Sequence, residues 1–463
     1  MNATFTRAYI ETNLFYQQRR LAWIDGCQAK EAAAPLPFLR MNSQSTTPWR
    51  SGFWCLMATQ FQNALSDNAL KNLVILLILA HPISEAQRNT QVAMAGALFA
   101  APFILFSMLG GWFADRFSKQ RVMECVKIAE IGIMLFATAG LWFANLPMQL
   151  AAVFLMGCHS ALFGPSKYGI LPEMLPLEKL SWGNGIMELL TFLGIIAGTV
   201  CGGLLASNFK SQTWISGLLL AALALAGLRL SRGIPKVPAA NPTCVLRANP
   251  VTDLWRQMAS MRSDRDLWRA NWGNAGFFFV AALVQMNLIL YAQTVLHLNE
   301  TQNGLLNAAL ALGIGAGSVI AGYASRGRIE YRLVPAGAAL MAAATVPMGW
   351  AGITTPGFCS ALAALGLGGG LFIVPIAAVL QHKPEPENKG AVQGAASVLS
   401  FIGILAASGA QIVLSEWLHL SSGRMFWACG TTALLTGVYV FFSRREAMRG
   451  VQSPVSKPDA GGK

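Results

Sequence analysis

The stretch GGWFADRFSKQR (residues 110–121) decides the class of this chain. Two glycines allow close helix packing, and a carboxylate then stands beside basic residues where an apolar segment ends. The simple interpretation is a basic loop between two membrane helices. The alternative is a charge cluster that holds one helix against another and releases it during a conformational change. The residues of this predicted latch are Gly111, Asp115, Arg116, Lys119 and Arg121.

The composition on both sides of this stretch indicates a membrane protein. Hydrophobic residues make up 54% of the 463 residues and charged residues only 12%, against about 25% charged in soluble domains. Twelve membrane spans need roughly 240 residues, close to half the chain. We therefore predict an all-α polytopic membrane protein with twelve transmembrane helices. The predicted spans are 52–80, 90–114, 122–144, 148–170, 184–206, 213–231, 272–295, 303–325, 333–353, 357–380, 390–414 and 424–443.

Along the whole chain, basic residues are concentrated in every second loop. They follow every even-numbered span, including Lys167 and Lys179 after the fourth, whereas the opposite loops hold only Arg88, Lys210 and Arg424. By the positive-inside rule both termini are cytoplasmic. This topology explains the net charge of +13 without a nucleic-acid partner.

The longest loop divides the spans into two sets of six, which we interpret as pseudo-repeats. Leu162-Phe163-Gly-Pro165 in the fourth span has an echo in Leu371-Phe372-Ile-Val-Pro375 in the tenth, and such weak repeats are typical of secondary transporters. Residues 1–50 read as a disordered cytoplasmic tail, or as sequence upstream of a true start at Met41. The predicted units are the tail 1–50, a first half 51–232, a cytoplasmic linker 233–270, a second half 271–445 and a disordered tail 446–463.

The first span carries an unusual set of polar residues. On a helix, Gln60, Asn63, Asp67 and Lys71 fall within one stripe, with Asn68 beside it, and Asp67 and Lys71 stand four apart, so that they can pair. Charges at membrane depth usually face a cavity or a partner. We favour a substrate cavity over an internal salt bridge that only fixes helix packing.

Three further charges lie inside apolar segments. Lys127 and Glu130 are three residues apart and can pair, with a structural and a cavity role equally open. Glu188 is a cavity candidate or an ion-pair partner of a loop base such as Lys179. His159 is interpreted as a packing residue. The sequence has no nucleotide-binding loop, nucleophile elbow or metal-ligand cluster. We therefore expect no enzyme activity, catalytic residue, cofactor or metal, and rank a sensor or membrane enzyme last.

The 110–121 stretch resembles the signature loop between the second and third helices of the major facilitator superfamily. Its glycines, its Asp115-Arg116 pair and its later basic residues match that signature. The counterpart after the eighth span, Gly322 to Arg328, lacks the aspartate, as is common in the superfamily. The resemblance implies the twelve-helix major facilitator fold.

Three strings narrow the resemblance: QFQNALSDNALKN (60–72), FGPSKYGILPE (163–173) and GNGIMELLTFLGIIAGTVCGGLLA (183–206). They look like the bacterial lysophospholipid transporter family and the transporter half of transporter–acyltransferase fusions. KIAEIGIM (127–134) is closer to the fused type. The resemblance implies movement of lysophospholipid to the cytoplasmic leaflet of the inner membrane for reacylation, with Asp67 in the central cavity.

The resemblance also sets expectations for partners. We expect a monomer in contact with membrane lipid and a separately encoded acyltransferase, because the chain ends soon after the twelfth span. The alternative function is an ion-coupled major facilitator transporter of a small soluble solute or drug.

Overall fold

The computed structural model describes residues 49–246, 249–350 and 352–450, with side chains described except at 300–301 and 442–450. Within these residues the chain forms thirteen α-helices and no β-strand. The first half contains α1 (Trp49–Ala80), α2 (Glu85–Arg116), α3 (Lys119–Trp142), α4 (Leu146–Met174), α5 (Leu177–Asn208) and α6 (Thr213–Ser231). A short helix, α7 (Pro250–Met261), follows.

The second half contains the remaining six α-helices. These are α8 (Arg265–Thr294), α9 (Glu300–Ala324), α10 (Leu333–Met348), α11 (Thr355–His382), α12 (Lys389–Ile412) and α13 (Ser422–Gly450). A 3₁₀ turn at Pro386–Asn388 precedes α12, and a π-helical segment at Val413–Trp417 follows it. The predicted tails lie outside the described residues, apart from 49–50, which begin α1, and 446–450, which end α13.

All helices except α7 follow the order of the predicted spans, and the all-α polytopic class is confirmed. In the described part of the chain nine helical segments are long and apolar enough to cross a membrane, and α10 is a shorter apolar helix of 16 residues. Helix α3, whose first half carries Lys119, Arg121, Glu124, Lys127 and Glu130, is not among the nine. The count of twelve crossings remains a prediction.

Several helices extend beyond the apolar pattern that predicted them. Helix α8 begins at Arg265 rather than at 272, because the Asp264 side chain caps the backbone N–H groups of Asp266 and Leu267. Helix α4 continues to Met174, four residues past the predicted end. Backbone hydrogen bonds continue into polar sequence wherever a cap or a neighbouring helix supports them. The assignment of Lys167 to a loop is therefore wrong, since it lies two turns before the end of α4.

Glycines in α5 allow close contact with α1. A Cβ added to Gly194, Gly198 or Gly202 would meet the backbone of α1, at Phe61, Leu65 and Ala69 in turn. Such small residues at every fourth position bring helix backbones together in membranes. Helices α1 and α5, which carry most of the predicted cavity residues, therefore pack closely side by side.

Helix α7 has one apolar face and one polar face. Met261 is buried, and Leu254 and Met258 pack against the hydrophobic core of the second half. This part of the apolar face of α7 therefore contacts the protein. Val251 and Trp255 remain exposed.

The two halves meet mainly at the end of the bundle where the basic loops gather, which we call the basic end. Here α2 packs against α12 and α5 against α9. Among the described residues, the side-chain hydrogen bonds that join the halves all lie at this end. They link Asp115 to Gly390 and Ala391, Asn184 to Gln381, and Ser181 to the carbonyl of Arg328.

Candidate functional site

A cavity of about 290 Å³ lies between the two halves. Five of the eight predicted cavity residues line it: Gln60, Asn63, Asp67, Asn68 and Glu188. The four from α1 share a face because they recur at helical spacing. The other three, Lys71, Lys127 and Glu130, do not line it.

Asp67 is held by hydrogen bonds from its own helix and from α4. Its Oδ2 accepts from Ser160 Oγ at 2.6 Å and from Asn63 Nδ2 at 3.1 Å. Its Oδ1 is buried and has no hydrogen-bond partner among the described residues. A buried carboxylate oxygen without a donor is costly, so Asp67 is ready to accept a donor from a ligand in the cavity.

Asp67 and Lys71 do not form the ion pair that their spacing allows. The carboxylate turns toward Ser160, whereas Lys71 Nζ donates to Asn68 Oδ1 at 3.0 Å and lies 5.1 Å from the ring centroid of Phe99. An i,i+4 spacing permits a pair but does not compel it when a neighbouring helix offers a better donor. Lys71 therefore stands beside the cavity wall.

Lys127 and Glu130 form the pair that their spacing suggests, deep inside the first half. Lys127 Nζ lies 2.7 Å from Glu130 Oε2, and both side chains are fully buried. The ammonium also donates to Gln62 and Asn63, at 2.8 Å and 2.7 Å. Asn63 in turn donates to Asp67. The pair thus supports the cavity wall from behind and fixes the orientation of Asn63.

Glu188 is bound by Tyr168 and not by Lys179. The Tyr168 hydroxyl donates to Glu188 Oε1 at 3.2 Å, while Lys179 is exposed near the start of α5. Beside them, Lys167 Nζ donates to Gln60 Oε1 at 3.1 Å. Lys167 lines the cavity, where it is the one cationic side chain among the described lining residues.

Sequence reasoning missed the other polar residues that line this site, among them Ser160, Lys167, Tyr168 and Gln381. Lys167 and Tyr168 lie in the string FGPSKYGILPE and inside the predicted span 148–170, so a lysine and a tyrosine within an apolar segment were the signal that could have found them. No sequence signal separates Ser160 from other serines. Its role depends on the contact between α4 and α1.

The second half contributes uncharged residues to the cavity. Its polar residues are Asn274, Gln381, Gln393, Ser397 and Ser400, and the apolar part of the wall includes Phe278 and Phe401. Phe401 stacks on Phe103 of the first half with centroids 4.0 Å apart. The cavity is therefore amphipathic: all its charged side chains come from the first half, and its aromatic side chains come from both halves.

The predicted latch residues lie together at the basic end. Asp115 Oδ1 accepts from the N–H of Gly390 at 2.7 Å, and Oδ2 accepts from that of Ala391 at 2.8 Å. These are free donors in the first turn of α12, where a helix favours a negative charge. Gly111 allows the approach, because a Cβ there would meet the Gly390 carbonyl.

The remaining latch residues bind within the first half or to the linker. Lys119 forms an ion pair with Glu173 at 2.6 Å, and Arg116 donates to the Cys244 carbonyl at 3.3 Å. Arg121 is exposed. Asp115 is thus the member of this group that joins the two halves.

Comparison with known proteins identifies the family of this chain. The family model described as Major Facilitator Superfamily matches residues 56–408. This chain belongs to the major facilitator superfamily, whose members are multi-pass membrane transporters.

Within the superfamily the chain is similar to bacterial lysophospholipid transporters. It is 31% identical over 356 residues to the lysophospholipid transporter LplT of Klebsiella pneumoniae subsp. pneumoniae, covering 74% of this chain and 83% of that protein. It is 30% identical over 354 residues to LplT of Salmonella gallinarum, covering 73% and 82%. Both resemblances inferred from the sequence are confirmed.

Solved structures support the fold. The human organic anion transporter MFSD10 (TETRAN) superposes with a TM-score of 0.71 at 16% identity, over 85% of this chain and 99% of that one. The transporter FucP in its outward conformation gives 0.68 at 12% identity, over 85% and 99%. At such identities the likeness concerns the fold alone.

Proposed function

We propose that this chain carries lysophospholipid from the outer to the cytoplasmic leaflet of a bacterial inner membrane. The observation that carries the proposal is the amphipathic cavity, which combines charged side chains, all from the first half, with aromatic side chains from both halves. A lysophospholipid likewise combines a charged headgroup with an apolar chain. The similarity to LplT proteins supports the same substrate class.

The headgroup binds between Asp67 and Lys167 in this proposal. The free Oδ1 of Asp67 accepts a hydrogen bond from a headgroup amine or hydroxyl, and Lys167 contacts the phosphate as a point charge. Neutral side chains hold both groups: Asn63 binds Asp67, and Gln60 binds Lys167. Asp67 keeps an acceptor and Lys167 keeps donors for the headgroup. The other predicted residues, Lys127 and Glu130 in particular, position this pair without touching the substrate.

The acyl chain extends past the headgroup chamber toward lipid. A volume of about 290 Å³ is at the small end for ligand sites, so it holds the headgroup and little of the chain. The stacked pair Phe103 and Phe401 offers an apolar surface between α2 and α12 along which the chain can lie.

Transport proceeds by alternating access of the two halves around this cavity. The contacts of Asp115 with α12 close the basic end, which the positive-inside rule assigns to the cytoplasm together with both termini. In this arrangement substrate arrives from the outer leaflet, and breaking the latch releases it inward. A separately encoded acyltransferase then restores the second chain, and the transporter works as a monomer.

Substitution of the two headgroup ligands tests the proposal. We expect Asp67→Asn and Lys167→Met each to lower the initial rate of lysophosphatidylethanolamine uptake into proteoliposomes by about tenfold or more, because a hydrogen bond to a charged group contributes about 1.5–3 kcal/mol. Albumin back-extraction measures the protected lipid. Lys210→Gln, which removes an exposed charge far from the cavity, is the control and keeps full uptake.

Wild-type uptake by folded Asp67→Asn and Lys167→Met proteins would refute the headgroup assignment. No uptake by the wild-type protein would refute the lysophospholipid proposal itself.

The second candidate is ion-coupled transport of a small soluble solute or drug. The small volume of the cavity favours it, since a solute of headgroup size fits without a chain. It predicts that free glycerophosphoethanolamine competes with lysophospholipid as strongly as unlabelled lysophospholipid does.

A further inference from the structure

A second, larger concave site lies at the basic end, on the outside of the seam between the halves. This groove has a volume of about 700 Å³. It is formed by the first turns of α1 and α5 and by the last turn of α9 with the turn that follows. Its chemistry is carried by Arg50, Trp54, Lys179, Trp182, Tyr323 and Arg326.

Aromatic side chains form one wall of the groove. Trp54 and Trp182 stand edge to face with centroids 6.5 Å apart, and Trp182 also packs against Phe53 at 5.0 Å. Trp54 is 52% exposed and Tyr323 is 66% exposed. Tryptophan and tyrosine in this position are typical of the membrane–water interface, where the ring sits at headgroup level.

Three basic side chains lie along the same groove. Within the described part of the chain, Arg50, Lys179 and Arg326 have no carboxylate within 4.0 Å. The one acidic side chain among the lining residues is Glu178, so three positive charges and one negative charge give +2. The groove thus presents a net positive charge, and none of its three cations is within ion-pair distance of a described carboxylate.

The turn that carries Arg326 has an unfavourable backbone. Arg326 has φ of 44°, a left-handed conformation that is uncommon outside glycine. Hydrogen bonds hold the turn, from the Arg326 N–H to the Tyr323 carbonyl and from the Arg328 N–H to the Ser325 carbonyl. This conformation places Arg326 of the second half at the same groove as Arg50 and Lys179 of the first half.

We propose that the groove binds the phosphodiester headgroup of an anionic phospholipid from the leaflet at the basic end. Unpaired lysine and arginine match the phosphate, and the exposed aromatic wall matches the glycerol and upper acyl region. A soluble phosphate would gain nothing from that wall. The assignment stands apart from the transport proposal, since it concerns a different site and a resident lipid.

The position of the groove gives the bound lipid a mechanical effect. The phosphate contacts cations from both halves, so it is bound tightly only while the basic end is closed. A ligand that prefers one conformation shifts the population toward it. The lipid therefore stabilises the closed basic end.

Fluorescence quenching in bilayers tests the site. Brominated phosphatidylglycerol and brominated phosphatidylcholine are titrated against the full-length protein, whose groove contains Trp49, Trp54 and Trp182. We expect stronger quenching by the anionic lipid. Each of Arg50→Gln, Lys179→Gln and Arg326→Gln weakens this preference by about fivefold, because one basic residue near the surface contributes about 1 kcal/mol toward anionic lipid. The triple variant abolishes it.

A matched triple variant distinguishes the groove from general surface charge. Arg229→Gln, Lys236→Gln and Arg262→Gln removes three exposed charges from the same end outside the groove, and it retains the preference. Equal loss in both triple variants overturns the proposal, as does equal quenching by the two lipids in the wild type. Displacement of the anionic lipid by millimolar glycerol 3-phosphate also overturns it, because the ligand would then be a soluble phosphate.

Discussion

Lys127 shows how a single residue supports the site without lining it. Its side chain is fully buried, and three acceptors surround the ammonium: Glu130, Gln62 and Asn63. A buried charge is tolerated only when it is paired and hydrogen-bonded. The hydrogen bonds around Lys127 therefore fix the orientation of Asn63, which donates a hydrogen bond to Asp67.

The two charges of this pair depend on each other. We expect Lys127→Met and Glu130→Gln each to lower the free energy of unfolding by about 3 kcal/mol, because each leaves one member of the buried pair without its partner. The double variant loses much less than the sum, since it leaves no charge behind. Thermal unfolding of the four proteins in detergent measures the coupling.

Additive losses in that cycle would mean that the two charges are independent. Lys210→Met serves as the exposed control, and we expect it to leave the unfolding midpoint unchanged.

At the scale of elements, the junction of α2 with α12 closes the basic end. Asp115 satisfies two of the N–H groups that the first turn of α12 leaves without partners. The first half thus completes a helix of the second half. Because the contact joins the two halves, the latch hypothesis predicts that it breaks while each half stays folded.

Removal of the Asp115 carboxylate should open the basic end. We expect Asp115→Ala to shift the equilibrium between conformations by about 2 kcal/mol, roughly thirtyfold, because it removes a charge at a helix N-terminus with its hydrogen bonds. Spin labels at Arg229→Cys and Arg332→Cys, in a background without the native cysteines, report the separation of the halves. Longer distances should gain population in Asp115→Ala.

Glu124→Ala is the matched control. It also removes a carboxylate at the basic end, but the Glu124 carboxylate binds Arg232, which belongs to the first half as well. We expect its distance distribution to equal that of the wild type. An Asp115→Ala distribution that is also unchanged would show that this contact is no latch.

The limits of sequence prediction are clearest at the level of these helices. Apolar periodicity located α4, but its end came from backbone hydrogen bonds that run on through Lys167 and Tyr168 to Met174. Lys167, which its charge assigned to a loop, lies inside this helix and lines the cavity. Composition marks where lipid contact stops, whereas a helix ends where its backbone loses its partners.

At the scale of the whole molecule, adding a side chain at two glycines with similar close contacts should have different effects on conformation and stability. A Cβ at Gly185 would meet the Ser318 carbonyl across the halves, and a Cβ at Gly366 would meet the Leu310 carbonyl inside the second half. If the halves move as rigid bodies, only the first contact is relieved when the basic end opens.

Alanine at these two positions tests that model. We expect Gly185→Ala to lengthen the distances between the same two spin labels with little loss of thermal stability. Gly366→Ala should lower stability by about 1–3 kcal/mol, the usual effect of overpacking, without changing the distances. Equal behaviour of the two variants would argue against two rigid halves.

The sequence by itself determined the membrane class, the order of the helices and the polar face of α1. These follow from local properties, namely apolar runs, loop charge and helical spacing, which do not depend on neighbours. Only the tertiary structure decided that Asp67 turns to Ser160, that Lys127 and Glu130 lie behind the cavity wall, and that Lys167 lines it. Those outcomes depend on which helices touch, because a buried polar group takes the best donor or acceptor within reach, whatever its distance in sequence.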